Sequence, residues 1–107
     1  MKKSTQMLEN DVVMDCYSEF MEYCKENNPY YSKDFRHCKA KVYFNARYTY
    51  LKSYSTIVAF IDNKNCVACD ILRLVYGYTA TSAQHISKFF NAYASTEDYE
   101  RLRYKAV

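Results

Sequence analysis

The stretch "YGYTATSAQHISKFF" (residues 76–90) decides how the chain is read, because its two halves obey different periods. The opening tyrosines and threonines suit extended backbone, whereas Ala83, Ile86, Phe89, Phe90 and Tyr93 supply apolar contacts at helical spacing. Thr81 and Gln84 have the spacing of a capping box, in which each side chain serves a backbone amide at a helix start. The stretch is therefore a strand running into a helix over 79–93 that packs on a sheet.

Working outward, the segment from Phe35 to Tyr76 alternates. In "CKAKVYFN", Val42 and Phe44 fall on one side and Lys41 and Tyr43 on the other. "YTYLKSYS" and "TIVAFID" meet at a serine-rich turn, and "DNKN" (62–65) is a loop signal. "CVACDILRLVY" reads as the last strand. The expectation is an antiparallel meander of about four strands over 35–76.

At the N-terminal end, residues 5–27 form an amphipathic helix, with Val13, Cys16, Tyr17, Phe20 and Cys24 on one face. Pro29 ends it by disfavouring helical backbone at Asn28. "STEDYERLRYKAV" opens with a capping residue and places Glu97 one turn before Arg101, which predicts a short helix over 95–105. The order gives an α+β fold in a single domain, 1–107.

Composition narrows the function classes. The chain has 107 residues, enough for one modest core. No apolar run reaches the roughly 18 residues of a membrane span, and no secretion signal is visible, so a cytoplasmic protein is expected. The five cysteines, an odd number, suit reduced thiols better than a disulfide set. The thirteen tyrosines suit half-buried strands, which tolerate a ring with a polar tip.

Three patterns invite a chemical reading. His85 sits near a helix start rich in hydroxyls, yet no local nucleophile and carboxylate complete a triad, so it is read as scaffold. "CVAC" (66–69) has zinc-like spacing, but its cysteines diverge in a strand, as would the adjacent His37 and Cys38. No metal or other cofactor is expected, and no convergent acid, base and nucleophile marks an enzyme. The hairpin "ARYTYLKSYS" is a candidate nucleic-acid surface, with Arg47 and Lys52 on phosphates and Tyr48, Tyr50 or Tyr54 stacking on bases.

Charge is segregated more sharply than the formal net of +3 suggests. Residues 5–27 carry six acids against one lysine, whereas residues 28–107 carry twelve bases against six acids. Asp11, Asp15, Glu19, Glu22 and Glu26 form a row within about 80° on the helix wheel. Such a row costs a few tenths of a kcal/mol per like-charged pair, and it suits a positively charged groove on a partner.

"KAKV", "LKSYSTIVAFID" and "YTATSAQHISKFF" together resemble a small domain of unknown function from phages and mobile elements of gut Gram-positive bacteria. The matching positions are Ser53, Tyr54, Thr56, Val58, Ala59, Ile61, Tyr78, Ala80, Thr81, Ser82 and His85, within about residues 38–92. A phage setting implies a protein that blocks bacterial defence. The leading expectation is an anti-CRISPR-type inhibitor whose acidic row occupies the nucleic-acid groove of a Cas nuclease in the host cytosol, as a monomer or homodimer. The alternatives are a nucleic-acid-binding module using the hairpin and a nucleotide-sequestering protein.

Overall fold

The computed structural model describes residues 5–35, 39–77 and 79–105, with side chains from Leu8 onward. It is α+β: helix α1 (Thr5–Glu26) leads into strands β1 (Tyr31–Asp34), β2 (Ala40–Phe44), β3 (Tyr48–Ser53), β4 (Thr56–Asp62) and β5 (Val67–Asp70). A helical turn α2 (Leu72–Val75), helix α3 (Ala80–Tyr93) and strand β6 (Glu100–Arg103) complete it. All six strands join one sheet in the order β1-β2-β3-β4-β5-β6. Neighbours are antiparallel except the last pair, β5 and β6, which run parallel.

The expected four-stranded antiparallel meander is thus extended at both edges. β1 has four exposed residues, "YSKD", and exists through its backbone pairing with β2. The expected C-terminal helix over 95–105 is instead β6. A short isolated helix is marginal in water, whereas the free edge of β5 supplies backbone partners such as Cys66 O for Glu100 N at 2.9 Å and Asp70 O for Tyr104 N at 2.9 Å. Arg101 does not serve Glu97 along a helix; it donates to Asn91 Oδ1 and Ala94 O. "CVACDILRLVY" is likewise a strand only over Val67–Asp70, after which the Asp70 carboxylate accepts from Leu72 N at 3.0 Å and starts α2. The sole glycine, Gly77, leaves α2 at φ +106°, a conformation that side-chain-bearing residues rarely adopt.

A parallel pair requires a long crossover, and α2 and α3 provide it between β5 and β6. α3 packs on one face of the sheet, where Ile86, Phe89 and Phe90 meet Val42, Leu51, Val58, Ala59 and Ile61. α1 packs on the other face, where Val13 and Phe20 meet Tyr48, Tyr50, Phe60, Cys69 and Ile71. β4 is covered on both faces, so "TIVAFID" is nearly continuous in apolar residues. A bulge lets it serve both: Lys52 pairs with Ile57 and Leu51 with Ala59, leaving Val58 as the extra residue. The Val58 carbonyl turns instead to Ile71 N at 2.9 Å.

Candidate functional site

Four places carry the residues that the sequence singles out: the outward side of α1, the β2–β3 loop with β3, the junction of the β3–β4 hairpin with α3, and the start of β5.

α1 is clamped to the sheet along its length. Phe20 has no exposed surface and stacks on Phe60 at 4.4 Å, with Tyr48 and Tyr50 edge-on at 5.0 and 5.3 Å. Near the helix start, buried Asn10 makes two bonds to Lys105, donating to its carbonyl at 2.6 Å and accepting from its amide at 2.8 Å. Near the helix end, the Asn45 amide donates to Cys24 Sγ and Asn27 O. This docking turns Asp11, Asp15, Glu19, Glu22 and Glu26 to the exposed side. Glu19 is drawn onto Arg47 at 2.7 Å, and Glu22 meets Lys25 at 3.2 Å. Leu8, Val12, Met14 and Met21 are also exposed, so the outer side of α1 mixes carboxylates with large apolar groups.

The candidate nucleic-acid residues of the β2–β3 loop, β3 and the following turn are divided between the interior and the surface. Asn45 Oδ1 accepts from the amides of Arg47 and Tyr48, closing a tight turn. Arg47 then donates from Nε and Nη2 to the two oxygens of Asp62, at 3.0 and 2.9 Å, and from Nη2 to Glu19. Burial alone would raise the Asp62 carboxyl, but the bonds from Arg47 and Asn65 outweigh it and hold the group below its ordinary value. The bonds to Asp62 and Glu19 likewise favour the charged form of Arg47, against the cost of its own burial. Tyr48 and Tyr50 are buried beneath α1 and present no ring to a base; burial pushes the Tyr50 hydroxyl up to about 12. Of the five hairpin residues, only Lys52 and Tyr54 reach outward.

The third place gathers the hairpin and helix motifs. Ser53, at the end of β3, has its hydroxyl 3.0 Å from that of Ser82 and 3.2 Å from Nδ1 of His85. All three side chains are buried. Thr79, rather than Thr81, caps α3, its hydroxyl accepting from Ser82 N at 3.2 Å. Ser53 and Ser82 of this network also line a hydroxyl-rich cavity of about 470 Å³, together with Tyr54, Thr56, Tyr76, Thr79 and Thr81. Burial, aided by Lys88, lowers the His85 pKa and favours the neutral ring. The bonds of Ser53 to Ser82 and His85 tie the hairpin to α3. Tyr78, a motif residue, lies outside the described residues.

The cysteine pair of "CVAC" is split by local geometry: Cys66 sits in the turn before β5 at φ +56°, and Cys69 is fully buried. Burial first, and Cys16 beside it, push the Cys69 thiol well up, away from the reactive thiolate. Among the described residues no group of histidines, cysteines and acids is placed to hold a metal. His37 and Cys38 lie outside the described residues.

The chain matches one family, DUF8033, over residues 22–105, which takes in the whole sheet and α3. The chain belongs to DUF8033, a family of unknown function. Comparison with curated proteins and with solved structures gives no match. The DUF8033 region begins inside α1, so Val13 and Phe20, which hold that helix to the sheet, precede it. Of the acidic row only Glu22 and Glu26 fall within the DUF8033 region, whereas the hairpin and the Ser53–Ser82–His85 network lie wholly inside it. Among the described residues no helix is long and apolar enough to cross a membrane.

Proposed function

We propose that this protein acts by binding rather than by catalysis, docking the outer side of α1 on a cationic groove of a protein that handles nucleic acid. In a phage setting, as the sequence resemblance implies, the partner class is a bacterial defence effector such as a Cas nuclease, and the outcome is inhibition. The observation that carries this reading is the division of α1: Val13 and Phe20 have no exposed surface, while Asp15, Glu22 and Glu26 are exposed at helical intervals. The exposed Leu8, Val12, Met14 and Met21 add apolar contact area, which charge alone does not supply in a stable interface.

The test is capture of host proteins on the immobilised chain, with single-stranded RNA as competitor. Wild-type protein should retain a nucleic-acid-binding effector, added RNA should displace it, and the triple variant D15K/E22K/E26K should lose it by at least tenfold. Retention that is indifferent to both RNA and the charge reversal would reject the reading.

A further inference from the structure

On the α1 side of the sheet, the corner that α1 leaves uncovered holds a second charged feature. Lys41 on β2 and Lys52 on β3 are direct cross-strand partners, so both lysines project from the same face of the sheet. Like charges directly opposite one another destabilise a sheet. Lys39 enters the same place just before β2, and the three lysines border an open groove of about 500 Å³. Among the described residues one carboxylate lines the groove, that of Asp34, which stands opposite Lys41 across β1 and β2. Among the described residues none of the three lysines forms an ion pair, in contrast to Arg47 nearby on the same sheet.

The groove is also aromatic. Tyr43 stacks on Tyr50 at 5.3 Å and 11°, and Lys52 Nζ lies 5.8 Å from the Tyr43 ring centre. At the rim stands Tyr54, which is 62% exposed and sits at φ +56° on the tip of the β3–β4 hairpin. A tyrosine in left-handed backbone is strained by roughly 1–2 kcal/mol, and such strain persists where the surroundings hold it. Here the Tyr54 amide is held by Lys39 O at 2.6 Å. Two unfavourable features, a facing lysine pair and a strained exposed tyrosine, thus border one groove.

We infer that this groove binds a short segment of single-stranded nucleic acid, with Lys39, Lys41 and Lys52 on consecutive phosphates and Tyr54 stacking on a base. Base stacking on an exposed ring and a lysine-lined track are the two elements of sequence-tolerant single-strand recognition. An acidic peptide would satisfy the lysines but would leave Tyr54 without a planar partner. The site is separate from the outer side of α1 and does not depend on the function proposed above.

Fluorescence anisotropy with labelled dT12 and rU12, using the full chain at 50 and 200 mM salt, tests it. Binding is expected to fall about tenfold to twentyfold over that range, the response of a single strand held through three phosphates. The double variant K41Q/K52Q should lose at least tenfold in affinity at 50 mM salt while its thermal midpoint stays level or rises. Tyr54→Gly should raise the thermal midpoint, because glycine accepts φ +56° freely, and yet weaken binding severalfold. A purely structural tyrosine would not give opposite signs in the two measurements. D15K/E22K/E26K should bind the oligonucleotides at least as well as wild type, which separates this site from α1. Absence of binding at 50 mM salt, unchanged affinity in K41Q/K52Q, or equal affinity for a poly-glutamate peptide would each overturn the assignment.

Discussion

The two faces of the sheet are covered by helices held in different ways. α3 is secured by topology, because it lies in the crossover that joins β5 to its parallel neighbour β6. It cannot leave without disrupting an edge of the sheet. α1 lies outside any crossover of the sheet and depends on side chains: the Phe20 ring stack, the two bonds from Asn10 to Lys105, and the links from Asn45 and Arg47. The contrast teaches that the acidic helix is a docked element. Its charge layout is set by a few specific contacts, of which the ring stack falls on Phe60, Tyr48 and Tyr50 and the polar ones on Lys105, Asn45 and Arg47.

The largest effect expected from this contrast is that of Phe20→Ala. Removing a fully buried aromatic ring costs about 3–5 kcal/mol. The loss should be local, with hydrogen exchange rising over Thr5–Glu26 while α3 retains its protection. Phe89→Ala, on the opposite face, should cost a similar amount and raise exchange throughout the sheet and α3 together. Equal, global loss of protection in both variants would mean that α1 is as integral as α3, and the contrast would fail.

A smaller effect is expected at the clamp between α1 and the β2–β3 loop. Arg47→Met keeps an unbranched apolar stem beside Tyr48 but removes both bonds to the Asp62 carboxylate, whose side chain is 10% exposed. Leaving a buried charge without its partner costs about 3 kcal/mol, and the partial exposure of this pair reduces that to roughly 2 kcal/mol. The pH dependence checks the cause. Asp62 in the folded wild type sits below its ordinary value, so its contribution is present above the unfolded carboxyl range near 3.9 and disappears as pH falls through the folded value. Urea midpoints should therefore differ most between wild type and Arg47→Met at pH 7 and converge toward pH 2. A difference independent of pH would assign the loss to packing on Tyr48 instead.

These same contacts explain what could be read from the sequence. The apolar stripe of α1, the alternation of β2 and the helix around His85 all follow from periods within one segment. β1 did not, because none of its four residues is buried and its pairing with β2 leaves no apolar trace. β6 did not, because Ser95, Thr96, Glu97 and Arg101 satisfy the local rules of a helix, while the edge of β5 that captures the segment lies about 30 residues earlier in the chain. At α3 the capping-box spacing points to Thr81, whereas Thr79 is the residue that caps the helix. For the candidate sites the obstacle was facing. Alternation puts Tyr43, Tyr48 and Tyr50 on one side, but only the docking of α1 decides that Tyr48 and Tyr50 are covered while Lys41 and Lys52 remain at an open groove.

The smallest effect belongs to the α3 face, where the Ser53–Ser82–His85 network joins the hairpin to the helix. Burial, with help from Lys88, lowers the His85 pKa in the folded chain, whereas the unfolded chain takes up its proton near 6.5. Between those two values the unfolded state holds more protons, so stability must decline as pH descends below about 6.5 and level off once the folded ring also protonates. The slope cannot exceed about 1.4 kcal/mol per pH unit for one group. His85→Gln keeps a polar group near Ser53 but cannot titrate, so urea midpoints measured from pH 7.5 to 5 should decline less steeply in the variant, whatever its stability at pH 7.5. Parallel slopes would place the titration elsewhere, and the α3 face would then be held by its apolar core alone, with the serine–histidine network serving only to align the hairpin.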